Sequence, residues 1–347
     1  MKHWKKLLSL TLVLALVLAL ALAGCGGTDT QDTETEEQTQ TEEQAEEPVT
    51  GESYAIAALK GPTAMGLVKL MSEAESGADF INDYTFTLAA SADEVSPLLM
   101  KGELDMACVP ANLAAVLYQK TEGDIVTLAV NTLGVLYIVE NGNAVQSMAD
   151  LKGKTIVASG KGSTPEFALR YLLSENGLDP DTDVTIDWKS EHSECVSALA
   201  TGAATIAMLP QPFVTVAQSK IEGLRVALDL TEQWDALDNG SALLTGVIVA
   251  RREVVEANPA AVDAFLKDYA GSVEWVNANT ADAAELIGSY DIVEAAVAEK
   301  ALPYCNIVCI TGTEMKDKLS GYLQVLADAD ASSVGGAMPG DDFYYGA

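Results

Sequence analysis

The sequence predicts an α/β protein of two lobes, each a doubly wound, mixed sheet, joined by a hinge. Three observations predict it. From Gly51 onward, short apolar strands alternate with helical segments; residues 54–117 recur at 154–217; and the last hundred residues have no sister segment.

Residues 54–59 read as a strand running into the turn Lys60-Gly61-Pro62-Thr63, after which Leu67, Leu70, Met71 and Ala74 fall at helical spacing. Tyr84, Phe86 and Leu88 alternate as a strand, and residues 104–109 and 125–130 give two more. A shift of one hundred positions lays 154–159, 184–188, 205–209 and 225–230 on these four strands without a gap. Thirteen identities link 54–117 with 154–217, among them Gly77 with Gly177, Glu94 with Glu194, Gly102 with Gly202 and Pro110 with Pro210. This period exceeds the roughly 20–50 residues of solenoid repeats and occurs only twice, which fits two sister lobes better than an array. A strand at 246–250 and helical stretches at 260–279, 281–289, 293–301 and 313–327 follow, with Asn258-Pro259 as a break before the first helix. Having no sister, this segment must pack on a lobe already built. The expected organisation is therefore residues 52–133 in lobe 1, 134–243 in lobe 2, and 244–347 back in lobe 1. The hinge is expected at the two crossings, near 131–134 and 241–246.

The N-terminus carries an export signal. Lys2, Lys5 and Lys6 form a basic region, and residues 7–22 are an apolar run broken only by Ser9 and Thr11. The run is short for a membrane span of about 20 residues, and it ends in Leu22-Ala23-Gly24-Cys25. That tetrad resembles a bacterial lipobox, which implies residues 1–25 as a lipoprotein signal peptide with its lipobox cysteine. Cys25 would be diacylated and would begin the mature chain; an uncleaved span with an incidental cysteine is the alternative. Residues 26–50 are Gly, Thr, Gln and Glu with almost nothing apolar, and read as a disordered acidic tether.

The chain has 20 Lys and Arg against 51 Asp and Glu, a formal net charge of −31. Nine of these acids fall in residues 28–47 and three of the bases in the signal, so from Gly51 onward 42 acids still face 17 bases. Such a surface repels nucleic-acid phosphates and anionic headgroups, which excludes nucleic acid as a partner. Catalysis has little to stand on. His192 is the one histidine after the signal, so no multi-histidine metal centre and no resident cofactor are expected, and no G-x-S-x-G elbow occurs. Cys108 reads as a small core residue; Cys305 and Cys309 lack C-x-x-C spacing, leaving a disulfide between them open.

The lipobox, the strand running into Lys60-Gly61-Pro62-Thr63, Leu151-Lys152-Gly153-Lys154 before Gly160-Lys161-Gly162-Ser163-Thr164, and Leu209-Pro210-Gln211-Pro212 together resemble ABC-transporter solute-binding proteins. The likeness is to the type II periplasmic-binding-protein fold, in the branch associated with sulfonates, taurine, nitrate and thiamine-pyrimidine precursors. It implies an extracytoplasmic, membrane-anchored receptor that closes on a small-molecule ligand and works as a monomer with permease and ATPase subunits. An enzyme on the same fold and a surface sensor are the other readings; the iron-associated cysteine cluster of the pyrimidine-synthase relatives is absent.

Ligands of open α/β sheets bind beyond the carboxyl ends of the strands. That places candidate contacts at Thr63, Ser91 and Asn112 in lobe 1 and at Lys161, Ser163, Thr164, His192 and Gln211 in lobe 2. Ser163 and Thr164 precede Pro165, which suits a first helical position, and free N–H groups there can hold an anionic or strongly accepting group. It is no nucleotide P-loop, because Thr155 stands where that motif needs Gly. Each hydroxyl or amide has a second reading as a helix cap or turn residue, and His192 as a solvated loop histidine. Phe213, Leu133 and Tyr137 could wall the cleft or lie in the core.

Overall fold

A computed structural model describes residues 50–347; the signal, Cys25 and all of the acidic segment but Thr50 lie outside the described residues. The first lobe opens with β1 (Ser53–Leu59), α1 (Pro62–Met65), α2 (Val68–Glu75), β2 (Asp83–Ala89), α3 (Ala92–Met100), β3 (Met106–Pro110), α4 (Ala111–Lys120) and β4 (Ile125–Leu133). The second holds β5 (Leu136–Glu140), β6 (Thr155–Ser159), α5 (Thr164–Glu175), β7 (Thr185–Lys189), α6 (His192–Ala200), β8 (Ile206–Pro210), α7 (Phe213–Lys220), β9 (Arg225–Asp229) and α8 (Leu230–Asp235). The chain then returns as β10 (Leu244–Arg251), α9 (Arg252–Ala257), α10 (Pro259–Ala278), α11 (Thr280–Ser289), α12 (Ala295–Ala301), β11 (Ile307–Ile310) and α13 (Gly312–Ala329).

The two sheets share one strand order. The first runs β11-β4-β10-β3-β1-β2 and the second β9-β5-β8-β6-β7, so β4, β3, β1 and β2 have β9, β8, β6 and β7 as counterparts. β10 occupies in the first sheet the place that β5 holds in the second, and each runs antiparallel to both neighbours. Each sheet thus takes its fourth strand from a chain that has just crossed over. The repeat glycines have a backbone reason: Gly77 and Gly177 have φ of 76° and 74°, and Gly102 and Gly202 76° and 73°. Glycine enters this left-handed region without the penalty a Cβ brings, so all four can end a helix sharply.

The sequence reading missed β5 and β11. β5 follows β4 after only Gly134 and Val135, so the apolar run carries no turn cluster to announce a change of sheet. The change is made at Gly134, whose missing Cβ leaves room for the Thr231 side chain.

The apolar faces of the sheets are covered on both sides. One face of the first sheet packs on α2, α10 and α11, with Phe265, Tyr269, Leu70 and Ile287 fully buried. Its other face is continuous with the second lobe: α5 supplies Leu169, Leu172 and Leu173 to the same cluster as Leu319, Tyr322 and Leu323 of α13. Trp234 of α8 lies between Tyr171 and Tyr322, with ring centroids at 4.9 and 5.5 Å. On the opposite flank, α7 meets α12.

Candidate functional site

The parallel strands of the first sheet end at Leu59, Ala89 and Pro110, and those of the second at Ser159, Lys189 and Pro210. The sequence-predicted residues sit just beyond these ends, but their side chains are engaged to very different degrees. Thr63, on the first turn of α1, is 7% exposed and donates from Oγ1 to the Leu59 carbonyl at 3.0 Å. Its own carbonyl accepts from Asn131 Nδ2 at 3.4 Å. Ser91 precedes α3, is exposed, and donates to Glu94 Oε1 at 3.2 Å.

Asn112 and Thr164 come from different lobes and meet. Thr164 Oγ1 donates to Asn112 Oδ1 at 3.3 Å, and Asn112 Nδ2 donates to the Ser333 carbonyl at 3.0 Å. Both residues are buried and both ends of the amide are engaged, so this pair joins the lobes behind the strand ends. Ser163 is no side-chain cap; its Oγ donates back to the Gly160 carbonyl at 2.9 Å. The Gly162 N–H, a natural anion donor, goes to Glu166 Oε2 at 2.7 Å. A carboxylate of the protein therefore already occupies part of the site that sequence reasoning offered to a ligand anion. Lys161 is exposed and has no ion-pair partner among the described residues.

His192 is not in a loop: it opens α6, whose start is fixed by a reciprocal capping box between Glu191 and Glu194. Its ring stacks obliquely on Phe213 at 4.9 Å, and Nδ1 lies 2.5 Å from Ser159 Oγ. Burial pushes the imidazole down to about 4, so it is neutral near pH 7. With Nδ1 accepting from the Ser159 hydroxyl, the ring proton is assigned to Nε2, leaving a donor for a solute. Glu194 also takes the Ser190 N–H at 2.8 Å, so this helix start, like that of α5, carries its own negative charge.

Gln211 is 5% exposed; its Oε1 accepts from Thr215 Oγ1 at 2.9 Å. It borders a cavity of about 960 Å³ that extends along α7, between the second sheet and α12. Tyr137, Thr215 and Asp229 line it from the second lobe, and Glu294, Lys300 and Tyr304 from the returning chain. Burial raises the Tyr137 phenol to about 12, reinforced by the Asp229 carboxylate, so it stays protonated. Among the described residues no group of three or more His, Cys, Asp or Glu could hold a metal ion, and Cys108, Cys195, Cys305 and Cys309 are free thiols.

A protein-family model described as the ABC transporter, phosphonate, periplasmic substrate-binding protein matches residues 77–295, more than half of the chain. The chain belongs to that family. It is thus the substrate-binding component of an ABC import system, and the binding proteins of such importers work with permease and ATPase subunits. Similar solved structures include an ABC transporter from Parabacteroides distasonis, 21% identical over 84% of this chain and 98% of that chain, with a TM-score of 0.70. The periplasmic aliphatic sulphonate binding protein SsuA from Escherichia coli is 19% identical over 81% of this chain and 92% of its own, at a TM-score of 0.67. The periplasmic nitrate-binding protein NrtA from Synechocystis PCC 6803 is 15% identical over 72% and 69%, at 0.54. These likenesses establish the type II periplasmic-binding fold. No curated protein matches the chain.

Of the residues that line the α7 cavity, sequence reasoning singles out Gln211 and Tyr137 and passes over Asp229, Glu294, Lys300 and Tyr304. Tyr137 stands out as a residue that could wall the cleft or lie in the core, without a sign that its hydroxyl is free. Asp229 falls within the strand read at 225–230 and draws no functional reading; in the structure it ends β9 and caps α8, accepting from Thr231 N at 2.8 Å. Glu294, Lys300 and Tyr304 are far along the chain from the repeat positions they face, and no local pattern marks them. No helix among the described residues is long and apolar enough to cross a membrane.

Proposed function

We propose that this substrate-binding protein is a monomeric, lipid-anchored receptor on the extracytoplasmic face of the membrane, which captures a small solute between its lobes and performs no chemistry on it. Residues 1–25 are the signal with the acylated Cys25, and 26–50 the tether. Residues 52–133 with 244–347 form one jaw and 134–243 the other. The observation that carries the reading is the matched strand order of the two sheets, with crossing strands β5 and β10 in equivalent places. Two like jaws joined by adjacent crossings can close by hinge bending at 131–134 and 241–246. Of the sequence-predicted positions, those with a group left free for a solute are His192 Nε2, Lys161 and Gln211, whose amide N–H groups open on the α7 cavity, with Thr63 at the margin. Ser91 lies at the rim, while Ser163 and Thr164 shape the α5 start mainly through bonds within the protein. Asn112 joins the lobes behind them.

The anchor rests on the lipobox and the shortness of the apolar run. Two acyl chains give stable membrane attachment where one gives only marginal binding. Cys25→Ser should therefore release the protein from membranes and abolish acyl labelling; a variant that stays bound, with its signal uncleaved, would refute the anchor. The absence of catalysis is supported by the family, whose members deliver a solute unchanged. Recovery of altered solute after incubation with the purified protein would favour an enzyme instead.

A further inference from the structure

The α7 cavity contains polar groups that nothing in the protein satisfies. Tyr137 is 8% exposed and Gln211 5%, yet neither the Tyr137 hydroxyl nor Gln211 Nε2 has a hydrogen-bond partner among the described residues, and both residues line the cavity. Gln211 Oε1 is held by Thr215, which fixes the carboxamide and leaves its N–H groups as the free end. Neither atom is cut off from the cavity, so the two stand as donors on one wall, open to an acceptor that enters it. The charges point elsewhere: Asp229, Glu232 and Glu294 face the cavity against the single ammonium of Lys300. Apolar contact is provided as well. Of the four large apolar side chains left exposed among the described residues, Val226 (38%) and Tyr304 (57%) border this cavity. Its volume, about 960 Å³, is at the upper end of the roughly 300–1,000 Å³ of small-molecule sites.

Building on the receptor reading, we infer that the solute sits in this cavity and is a small organic ammonium compound with an apolar body and a neutral hydrogen-bond acceptor, not a phosphonate or sulfonate. The acceptor takes the Tyr137 O–H and a Gln211 N–H, the ammonium lies among Asp229, Glu232 and Glu294, and the body lies against Val226 and Tyr304. A phosphonate or sulfonate here would face three carboxylates with one lysine to offset them. At the α5 and α6 starts it would compete with Glu166 and Glu194, which already take the Gly162 and Ser190 N–H groups. The overall charge of −31 acts the same way at long range, drawing cations and repelling anions.

The test is a thermal-shift and calorimetry panel on the purified full chain. Phenylalanine methyl ester, N-acetylphenylalanine methyl ester and N-acetylphenylalanine share one aromatic body and a neutral carbonyl acceptor and are cationic, neutral and anionic in turn; choline, methylphosphonate and ethanesulfonate extend the comparison. Stabilisation by the ammonium members and none by the phosphonate or sulfonate is the expected result. Tyr137→Phe and Glu232→Gln should then each weaken the best binder by about 10-fold, while the unliganded melting temperature of Tyr137→Phe stays close to that of the parent. An anion as the best binder, or no binder in the panel, overturns the assignment. So does an ammonium binder that is weakened by Ser163→Ala and not by Tyr137→Phe, since that would place it at α5. An anion that binds and brings the lobes together would sink this assignment alone and leave the receptor reading standing.

Discussion

A methyl group added at Gly246 should destabilise the protein by about 3 kcal/mol, and removing one methyl from Thr63 should return part of that loss. Gly246 lies in β10, where the returning strand passes the turn into α1. A Cβ there would be 2.5 Å from Asn131 Oδ1, 2.5 Å from Thr63 Cγ2 and 3.4 Å from Thr132 Oγ1. Favourable heavy-atom contacts lie at about 3.5–4.0 Å, so two neighbours would have to retreat by roughly 1 Å. Neither is free to do so. Asn131 is fully buried and accepts from Thr132 Oγ1 at 3.0 Å, while Thr63 is tied to the Leu59 carbonyl at 3.0 Å. Overpacking a tight core costs about 1–3 kcal/mol, and two blocked contacts place Gly246→Ala at the upper end. Thr63→Ser deletes Cγ2 and keeps the hydroxyl, so Gly246→Ala should cost about 1 kcal/mol less in that background. Urea unfolding of the four proteins, compared at unchanged m-value, gives the coupling directly. A cost below about 0.5 kcal/mol, or no coupling to Thr63, would refute the placement of the return strand against this turn.

Acid should weaken the fold in two windows. His192 binds a proton less readily folded, near pH 4, than unfolded, near 6.5, so its contribution is intact above 6.5 and declines as pH falls towards 4. Its imidazole carbon-bound protons, followed by NMR, should titrate near 4; a midpoint at 6.5 would contradict the packing of the ring against Phe213 and Ser159. Burial alone would raise the Glu140 pKa, but the Ala144 and Val145 N–H groups and Arg225, at 2.5 Å, outweigh it and hold the carboxyl below its usual 4.5. That stability is present above 4.5 and is lost as pH falls further, and Glu140→Gln should flatten the lower window of a pH series of urea midpoints. Trp234→Ala removes the ring between Tyr171 and Tyr322 and the bond from Nε1 to Ser241 Oγ at 3.0 Å. It should cost about 3–5 kcal/mol by calorimetric melting, and a loss under about 1 kcal/mol would contradict the interlobe packing of α13.

The periodic parts of the fold were the legible ones. The hundred-residue shift located eight strands because each pairs an apolar run with a turn glycine at a fixed distance, and Gly102 and Gly202 need the same left-handed backbone. β5 and β11 were illegible for opposite reasons: one is joined to β4 without a turn cluster, and the other is a four-residue edge strand with no period to read. At the site, the strand-end rule led to the loops beyond the strand ends but could not say which side chains are free. Thr164 and Asn112 look alike in sequence to residues that face a ligand, yet tertiary packing joins them to each other. The free donors of Tyr137 and Gln211 become visible only once the returning chain closes the cavity from far along the sequence.

Receptor action requires that the jaws approach each other when solute binds. Spin labels at Asp93 and Ser193, exposed residues in equivalent places beside the strand ends of the two lobes, would report it by dipolar distance measurement in a Cys25→Ser, Cys309→Ser background, in which Cys108, Cys195 and Cys305 are buried. Saturation with a calorimetrically verified ligand should move the distance distribution to a shorter, narrower one, and the reverse change should follow on dialysis. An unchanged distribution at saturation would contradict closure of the two lobes on a solute, and with it the receptor mechanism of this substrate-binding protein.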